Sequence, residues 1–202
     1  MESVHLRPGA LIVFEGLDGA GKTTQLNCLR GRVRPESATY VHMPTGFSRF
    51  TQTVRTLLDD REVRPVSGLA QQLAHLACHA ESQATLHEQR SRSAVVLDRW
   101  WWSTLAYGIL SGVISDADMP RDAFERVVES TWAGMTADVV FLFGHVHGFD
   151  SNNSDAIAAG YETLAARYPA LAVWVPDFTI EEVTDTILEE LDHRHLLLPE
   201  RS

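Results

Sequence analysis

The sequence predicts an α/β fold in which helices cover both faces of a five-stranded parallel sheet. The chain has 202 residues, 45% of them apolar and 22% charged, which is typical of one globular domain. Five short apolar runs are continuous rather than alternating. A strand that is apolar at every position is buried on both faces, as strands of parallel sheets are. Longer segments with helical periodicity separate the runs, so we expect helical crossovers between the strands.

The predicted strands and helices alternate along the chain. The five predicted strands cover residues 10–14, 39–42, 94–97, 139–143 and 171–175. Helical periodicity predicts helices over residues 24–33, 49–60, 69–84, 103–110, 122–132, 155–168 and 180–191. Ser154 is predicted as the N-cap of the sixth helix. Ligands of such sheets bind at the carboxyl ends of the strands, so we expect the functional site there.

Charge and cysteine content exclude several classes of protein. Lys and Arg together number 17 against 27 Asp and Glu, which gives a formal net charge of −10. So acidic a chain is a poor partner for nucleic acid polymers or anionic membranes, and no apolar run approaches the roughly 20 residues of a membrane span. The two cysteines, Cys28 and Cys78, form no disulfide framework or metal motif. We therefore expect a cytoplasmic protein that folds as a single domain over residues 1–202.

A glycine-rich loop after the first predicted strand carries the strongest chemical signal. Residues 16–23 match the phosphate-loop pattern G-x-x-x-x-G-K-[ST] without a mismatch, and Lys22 is the only lysine of the chain. In this pattern backbone N–H groups converge on phosphates, the lysine approaches the β and γ oxygens, and the Thr23 hydroxyl can ligate Mg²⁺. The sequence therefore predicts a P-loop NTPase fold that binds ATP with Mg²⁺. The predicted ATP-binding residues are Gly16, Leu17, Asp18, Gly19, Ala20, Gly21, Lys22, Thr23 and Thr24.

Three segments together resemble one family. Residues 14–25 read FEGLDGAGKTTQ, residues 98–107 read DRWWWSTLAY, and residues 159–165 read AGYETLA. The first segment resembles the start of a thymidylate kinase, the second its Asp-Arg-aromatic motif, and the third the helix after its lid. The resemblance implies a nucleoside monophosphate kinase that transfers a phosphoryl group from ATP to a small nucleotide, converting dTMP to dTDP. It also implies a homodimer, because members of the family commonly form one.

The resemblance assigns roles to particular residues. The catalytic residues would be Lys22, Asp98 and Arg99, and Mg²⁺ would be held by Thr23 and, partly through water, by Asp98. An Asp-Arg pair at the end of a buried strand costs desolvation, which independently favours a functional role. The residues that would bind the acceptor are Asp18, His42, His75, His79, Arg99, Ser103 and Tyr107.

The chain departs from the family pattern in four places. Residues 42–46 lack the arginine that usually grips the monophosphate. His75 and His79 align with a phenylalanine that stacks on thymine and with an arginine four residues further on. Gly108 stands where bacterial members often have glutamine. The lid is shortened to about residues 144–153, where the family usually carries an arginine.

Basic residues are also missing from the region that would contact ATP. No Lys or Arg occurs from Val127 to Ala166, and Ala20 brings no positive charge into the phosphate loop. Losing an arginine that neutralises transition-state charge costs orders of magnitude in rate. The short lid does contain His145 and His147, which could touch ATP phosphates or lie in a solvated loop.

Three interpretations of these departures stay open. In the first, the chain is a kinase in which Arg49, Arg55, Arg167 or an arginine of a partner supplies the missing charge. In the second, it phosphorylates another small-molecule or modified-nucleotide acceptor. In the third, it is a catalytically weak ATP-binding protein that acts through a partner.

Overall fold

The computed structural model describes residues 3–148, 150 and 152–199. Its strands are β1 (His5–Leu6), β2 (Leu11–Gly16), β3 (Ala38–His42), β4 (Ala94–Asp98), β5 (Val139–Phe143), β6 (Ala172–Trp174) and β7 (Leu197–Leu198). Its α-helices are α1 (Lys22–Arg32), α2 (Arg49–Asp59), α3 (Gly68–Arg90), α4 (Trp101–Leu105), α5 (Arg121–Trp132), α6 (Asp155–Arg167) and α7 (Ile180–His193). A 3₁₀ turn, Pro35–Ser37, precedes β3, and a π-helical segment, Ala106–Leu110, continues α4.

The central sheet has the predicted five parallel strands, in the order β3-β4-β2-β5-β6, with helices on both faces. The chain builds β3 and β4 on one side of β2 and then β5 and β6 on the other. The loop that follows β2 therefore lies at the middle of the carboxyl edge, where the strand order reverses and a crevice opens. All six residues of β2 are buried.

A glycine permits the close approach of β2 to β5 at this edge. Gly16, the last residue of β2, has φ 127°, and a Cβ added there would lie 2.2 Å from the carbonyl oxygen of Phe143. Any larger residue would push the two strands apart where the phosphate loop begins. The same two strands also pack through their aromatic rings, since Phe14 stacks on Phe143 with ring centroids 5.5 Å apart.

Several predicted boundaries shift by a few residues. Helix α1 begins at Lys22 rather than Thr24, because the left-handed Gly21 (φ 89°) turns the chain directly into it. The predicted helix over 103–110 begins at Trp101 and changes to π-helix at Ala106. Strand β6 is three residues long rather than five.

The small antiparallel pair of β1 and β7 was not predicted from the sequence. Each of the two strands is only two residues long, which is too short to show a period. The predicted N-cap of α6 is confirmed, since the Ser154 side chain accepts a hydrogen bond from the N–H of Ile157.

The three consecutive tryptophans, Trp100, Trp101 and Trp102, are all buried. The Trp102 ring lies 5.8 Å from that of Tyr168, and the Trp100 ring lies 5.9 Å from that of Trp132 in an edge-to-face arrangement. These contacts join α4 to α5 and to the end of α6, and so fix the segment that follows β4. Within the described residues, no helix is both long and apolar enough to cross a membrane.

Candidate active site

The phosphate loop surrounds a cavity of about 410 Å³ at the carboxyl edge of the sheet. We call it the cradle; its lining residues are Asp18, Gly19, Ala20, Gly21, Lys22, Thr23, Thr24, His42, Asp98, Arg99 and His147. Seven of the nine predicted ATP-binding residues therefore line the cradle. The other two, Gly16 and Leu17, do not line it, but their carbonyl oxygens accept hydrogen bonds from the Lys22 side chain and so hold it in place.

Lys22 is buried and held by the loop itself. Its Nζ donates to the carbonyl oxygens of Gly16, at 3.1 Å, and of Leu17, at 2.5 Å. Burial lowers the pKa of Lys22 to about 8, with a further contribution from the nearby charge of Arg99. An anion in the cradle would stabilise the charged form, because it would supply the counter-charge that the carbonyl dipoles only partly provide.

Asp98 ends β4 beside the cradle. Its Oδ2 lies 3.0 Å from Nδ1 of His42, and its Oδ1 is buried without a hydrogen-bond partner among the described residues. Burial alone would raise the pKa of Asp98, yet the hydrogen bond and charge of His42, with the charges of Arg99 and Lys22, hold this pKa below its ordinary value. The carboxylate is therefore ionised, and one of its two oxygens has no hydrogen-bond partner among the described residues.

Arg99 adopts a backbone conformation that is rare for a residue other than glycine. Its φ is 70°, which places it in the left-handed region and stores strain at this position. The guanidinium donates to the Ser103 hydroxyl at 2.9 Å and forms an ion pair with Asp18. It also lies 5.3 Å from the centroid of the Tyr107 ring, in cation–π geometry.

Glu15 supports the residues around Arg99, and the sequence did not assign it a role. It is fully buried at the end of β2 and accepts hydrogen bonds from the N–H groups of Trp100 (2.7 Å) and Ser103 (3.0 Å). The hydroxyls of Ser103 (2.5 Å) and Tyr161 (3.1 Å) also donate to it. Burial raises the pKa of Glu15, against the charge of Arg99 and the hydrogen bonds. One signal could have identified it, a charged residue inside an otherwise apolar strand.

A second cavity, of about 490 Å³, opens beside the cradle. We call it the acceptor cavity. All seven predicted acceptor-binding residues line it: Asp18, His42, His75, His79, Arg99, Ser103 and Tyr107. The structure thus brings together residues from separate elements that the resemblance grouped. Their binding roles stay predictions.

The two histidines of α3 that line the acceptor cavity, His75 and His79, are neutral in the free protein. Burial, followed by the charge of Arg99, lowers the pKa of His75 to about 4. Burial lowers the pKa of His79 to about 3. The Trp132 indole N–H donates to Nδ1 of His79 at 3.3 Å, so this ring is already engaged beneath the cavity. Neither ring brings the positive charge that an arginine would bring.

The three candidate arginines are found in different places. Arg55 lines the acceptor cavity, 3.9 Å from Asp59. Arg167 instead bonds Glu125 at 3.1 Å on the surface, and Arg49 lies at the exposed start of α2.

Gly108 is buried, and a Cβ there would lie 3.2 Å from the side chain of Gln72, so a glutamine could not replace it without repacking.

The short lid folds back onto the phosphate loop. The His147 N–H donates to the Gly19 carbonyl at 3.3 Å. The Asn153 side chain bonds the backbone of Asp18 twice, accepting at 2.9 Å and donating at 2.8 Å. No role for Asn153 could be predicted from the sequence, because an asparagine before a helix cap carries no distinctive signal. Two residues of the predicted lid, Phe149 and Ser151, lie outside the described residues.

Comparisons with known proteins point to one family. The family model described as thymidylate kinase matches residues 14–141. The thymidylate kinase of Nostoc punctiforme is 27% identical, with 93% of this chain and 97% of that protein covered. The thymidylate kinase of Pelotomaculum thermopropionicum is 32% identical, with 80% and 82% covered.

Solved structures share the fold. A thymidylate kinase from Ehrlichia chaffeensis has a TM-score of 0.72 at 21% identity, covering 91% of this chain and 98% of that one. One from Candida albicans has a TM-score of 0.70 at 17% identity, covering 99% and 97%. The predicted P-loop NTPase fold is confirmed, as is the prediction of a nucleoside monophosphate kinase. The chain belongs to the thymidylate kinase family.

Proposed function

We propose that this chain transfers the γ-phosphoryl group of ATP to dTMP, giving ADP and dTDP. One observation carries the proposal: Arg99 and Asp18 line both the cradle and the acceptor cavity. A phosphoryl group that passes between two nucleotides must cross such a junction. A guanidinium at that point can contact the phosphates on both sides.

The donor nucleotide has room on the far side of the phosphate loop. A cavity of about 230 Å³ adjoins Gly21 and Thr24 and is lined by Val175, Pro176 and Phe178. Apolar walls with few polar groups suit a purine ring. ATP would lie with its base in this donor-base cavity and its phosphates in the cradle.

The Mg²⁺ that accompanies ATP has suitable oxygen ligands here. The Thr23 hydroxyl and the Asp98 carboxylate both line the cradle, and Oδ1 of Asp98 is buried without a hydrogen-bond partner among the described residues. A buried carboxylate oxygen is costly to leave unpaired, and oxygen ligands are those that Mg²⁺ prefers. Thr23 would hold the ion, and Asp98 would do so partly through water. When bound, Mg²⁺ neutralises charge on the phosphates.

The residues of the chain stabilise charge and contribute no covalent catalyst. An oxygen of the acceptor phosphate forms the new bond to the γ-phosphorus, and the bond from that phosphorus to the β–γ bridging oxygen breaks. The Lys22 ammonium exchanges its hydrogen bonds to the loop carbonyls for contacts with the donor phosphates, and so neutralises charge on the donor side. Arg99 neutralises charge on the group in transit. Asp18 must share Arg99 with the phosphates, so the ion pair of the free protein loosens on binding.

The acceptor cavity offers two arginines for a monophosphate, Arg55 and Arg99. The neutral His75 would lie against the base, at the position where the resemblance implies an aromatic ring. A neutral surface is also compatible with another small acceptor, and an acceptor panel distinguishes that alternative from dTMP.

The test is ADP release from Mg²⁺·ATP with a panel of nucleoside monophosphates and with small acceptors that lack a nucleobase. We expect dTMP to be the preferred acceptor and Lys22→Ala to remove at least about 99% of the turnover, which excludes a contaminating kinase. Preference for an acceptor without a nucleobase would replace dTMP by another substrate. Binding of ATP without turnover of any acceptor would overturn the proposal in favour of a catalytically weak binding protein.

The family resemblance adds a homodimer and a cytoplasmic location to the proposal. Sedimentation equilibrium of the purified chain tests the dimer, and fractionation of the source cell tests the location.

A further inference from the structure

The cradle has few cationic side chains for a ligand as charged as a triphosphate. Among the described residues that line it, Lys22 is the only lysine and Arg99 is the only arginine. Arg99 is already paired with Asp18, and Asp98 adds a negative charge. Phosphoryl transfer depends on positive charge and N–H donors around the phosphate oxygens. A further donor over the cradle would therefore have a clear use.

His147 occupies that position. Its Nε2 lies 3.7 Å from the point where a Cβ on Gly21 would sit. Gly21 directly precedes Lys22 in the phosphate loop. The imidazole lines both the cradle and the donor-base cavity, so it lies at the boundary between them. It is exposed, and its side chain forms no hydrogen bond with the described residues, which leaves its ring nitrogens available to a ligand.

The loop that carries His147 is fixed to the phosphate loop at several points. The backbone N–H of His147 bonds the carbonyl of Gly19. The Val146 side chain lies 3.6 Å from the position of a Cβ on Gly19. At the other end of the segment, Asn153 holds both the N–H and the carbonyl of Asp18. The backbone that carries the imidazole is thus held against the phosphate loop before the nucleotide arrives, which reduces the entropy cost of the contact.

We infer that His147 is a phosphate-binding residue of the donor site, whose ring N–H donates to the β or γ phosphate of ATP. The inference rests on the proposed function, since it assigns the cradle to a triphosphate. His145 provides an internal comparison. It is exposed in the same loop but lines the donor-base cavity and not the cradle.

The test measures affinity as a function of phosphate number. Calorimetry would give the Kd of AMP, ADP and β,γ-imido-ATP with Mg²⁺ for the wild type, His147→Ala and His147→Lys. We expect His147→Ala to weaken β,γ-imido-ATP at least about tenfold, because a hydrogen bond to a charged group is lost. AMP should change less than about twofold, since it has neither of the two phosphates. His147→Lys should recover most of the affinity for the ATP analogue.

Two controls separate this effect from others. His193→Ala removes an exposed histidine at the end of α7 and should leave all three Kd values unchanged. His145→Ala should change AMP and β,γ-imido-ATP affinity by the same factor, since its contact is with the base side. Melting temperatures within about 2 °C of the wild type would show that the exposed substitutions leave the fold intact.

Three outcomes would overturn the inference. His147→Ala could bind β,γ-imido-ATP as tightly as the wild type, or lose AMP affinity by the same factor as ATP-analogue affinity, or His147→Lys could bind as weakly as His147→Ala. If the wild type turns over dTMP and any of these is seen, this inference alone fails. If the wild type binds the analogue in the expected graded way but phosphorylates no acceptor, the proposed function fails and the assignment of His147 stands. If the wild type does not bind the analogue, both fail.

Discussion

The donor and acceptor halves of the site are built in different ways. Most of the cradle comes from one continuous segment, Gly16 to Thr24, with its backbone and single lysine. The acceptor half collects side chains from β3, α2, α3, the turn after β4, and α4 with its π-helical continuation. A local motif therefore specifies the donor half almost completely. Except for Asp18, His42 and Arg99, which line both cavities, the side chains of the acceptor half can be altered one at a time without changing the lining of the cradle.

The two halves also differ in charge. The cradle contains a lysine whose charge is balanced in the free protein by carbonyl dipoles and nearby carboxylates. The floor of the acceptor cavity carries two histidines that burial keeps neutral. Arg99 connects the halves because it lines both cavities. The comparison thus predicts that variants at the junction have the largest effects and variants of the acceptor floor the smallest.

Arg99→Ala should have the largest effect. It removes a guanidinium that lines both the cradle and the acceptor cavity, so we expect kcat/KM for dTMP to fall at least about a hundredfold. The matched control is Arg167→Ala, which breaks a surface ion pair with Glu125 and should stay within about twofold of the wild type. Steady-state kinetics with both substrates varied checks this. Equal activities of the two variants would show that the junction plays no special part.

Glu15→Gln tests how far the segment around Arg99 depends on the hydrogen bonds that Glu15 accepts. Glu15 accepts four hydrogen bonds through two carboxylate oxygens, whereas an amide has one accepting oxygen and a donor that would face donors. We expect the free energy of unfolding to fall by about 2–4 kcal/mol. Urea denaturation measures it, with Glu88→Gln on the exposed side of α3 as control, expected within about 0.5 kcal/mol of the wild type. A stability loss no larger than that of the control would refute the role of Glu15.

The neutral floor of the acceptor half predicts a pH dependence of stability. His79 has a pKa of about 3 in the folded protein and an ordinary value of 6.5 when unfolded. Between these values the unfolded state binds more protons, so stability falls as pH drops below about 6.5. The loss from this residue is about 2 kcal/mol by pH 5 and does not grow further below pH 3.

His79→Gln should reduce this pH dependence, to which His75 also contributes, while keeping an acceptor for the Trp132 N–H. The measurement is the free energy of unfolding at several pH values between 7 and 5, compared by slope rather than by absolute stability. His193→Gln, which changes an exposed histidine, should keep the wild-type slope. An unchanged slope for His79→Gln would contradict the assignment of a neutral buried ring.

His75→Phe should have the smallest effect and bears on acceptor preference. Replacing the imidazole by the phenyl ring that the family resemblance implies should strengthen stacking on the base, lowering KM for dTMP about threefold to tenfold with little change in kcat. His193→Phe serves as the control for added aromatic surface. A higher KM for dTMP in His75→Phe would indicate that the imidazole itself bonds the natural acceptor.

The comparison explains which parts of the site could be predicted. The sequence placed the cradle residues because a phosphate loop is contiguous, and its glycines and lysine have fixed offsets. The resemblance also grouped Asp98, Arg99, Ser103 and Tyr107, which lie within ten residues of one another. Glu15, Asn153 and the position of Arg55 were not assigned, because their roles come from contacts across the sheet and between loops.

The sequence by itself determined the parallel α/β sheet, the order of its elements and the family, since apolar runs, helical periods and contiguous motifs are local properties of a chain. Tertiary structure alone decided that His79 is buried and neutral beneath Trp132, and that Arg55 rather than Arg49 or Arg167 faces the acceptor cavity. It alone also placed His147 over the cradle. The physical reason is that burial and hydrogen-bond partners, which set the charge and availability of these side chains, come from residues distant in the chain.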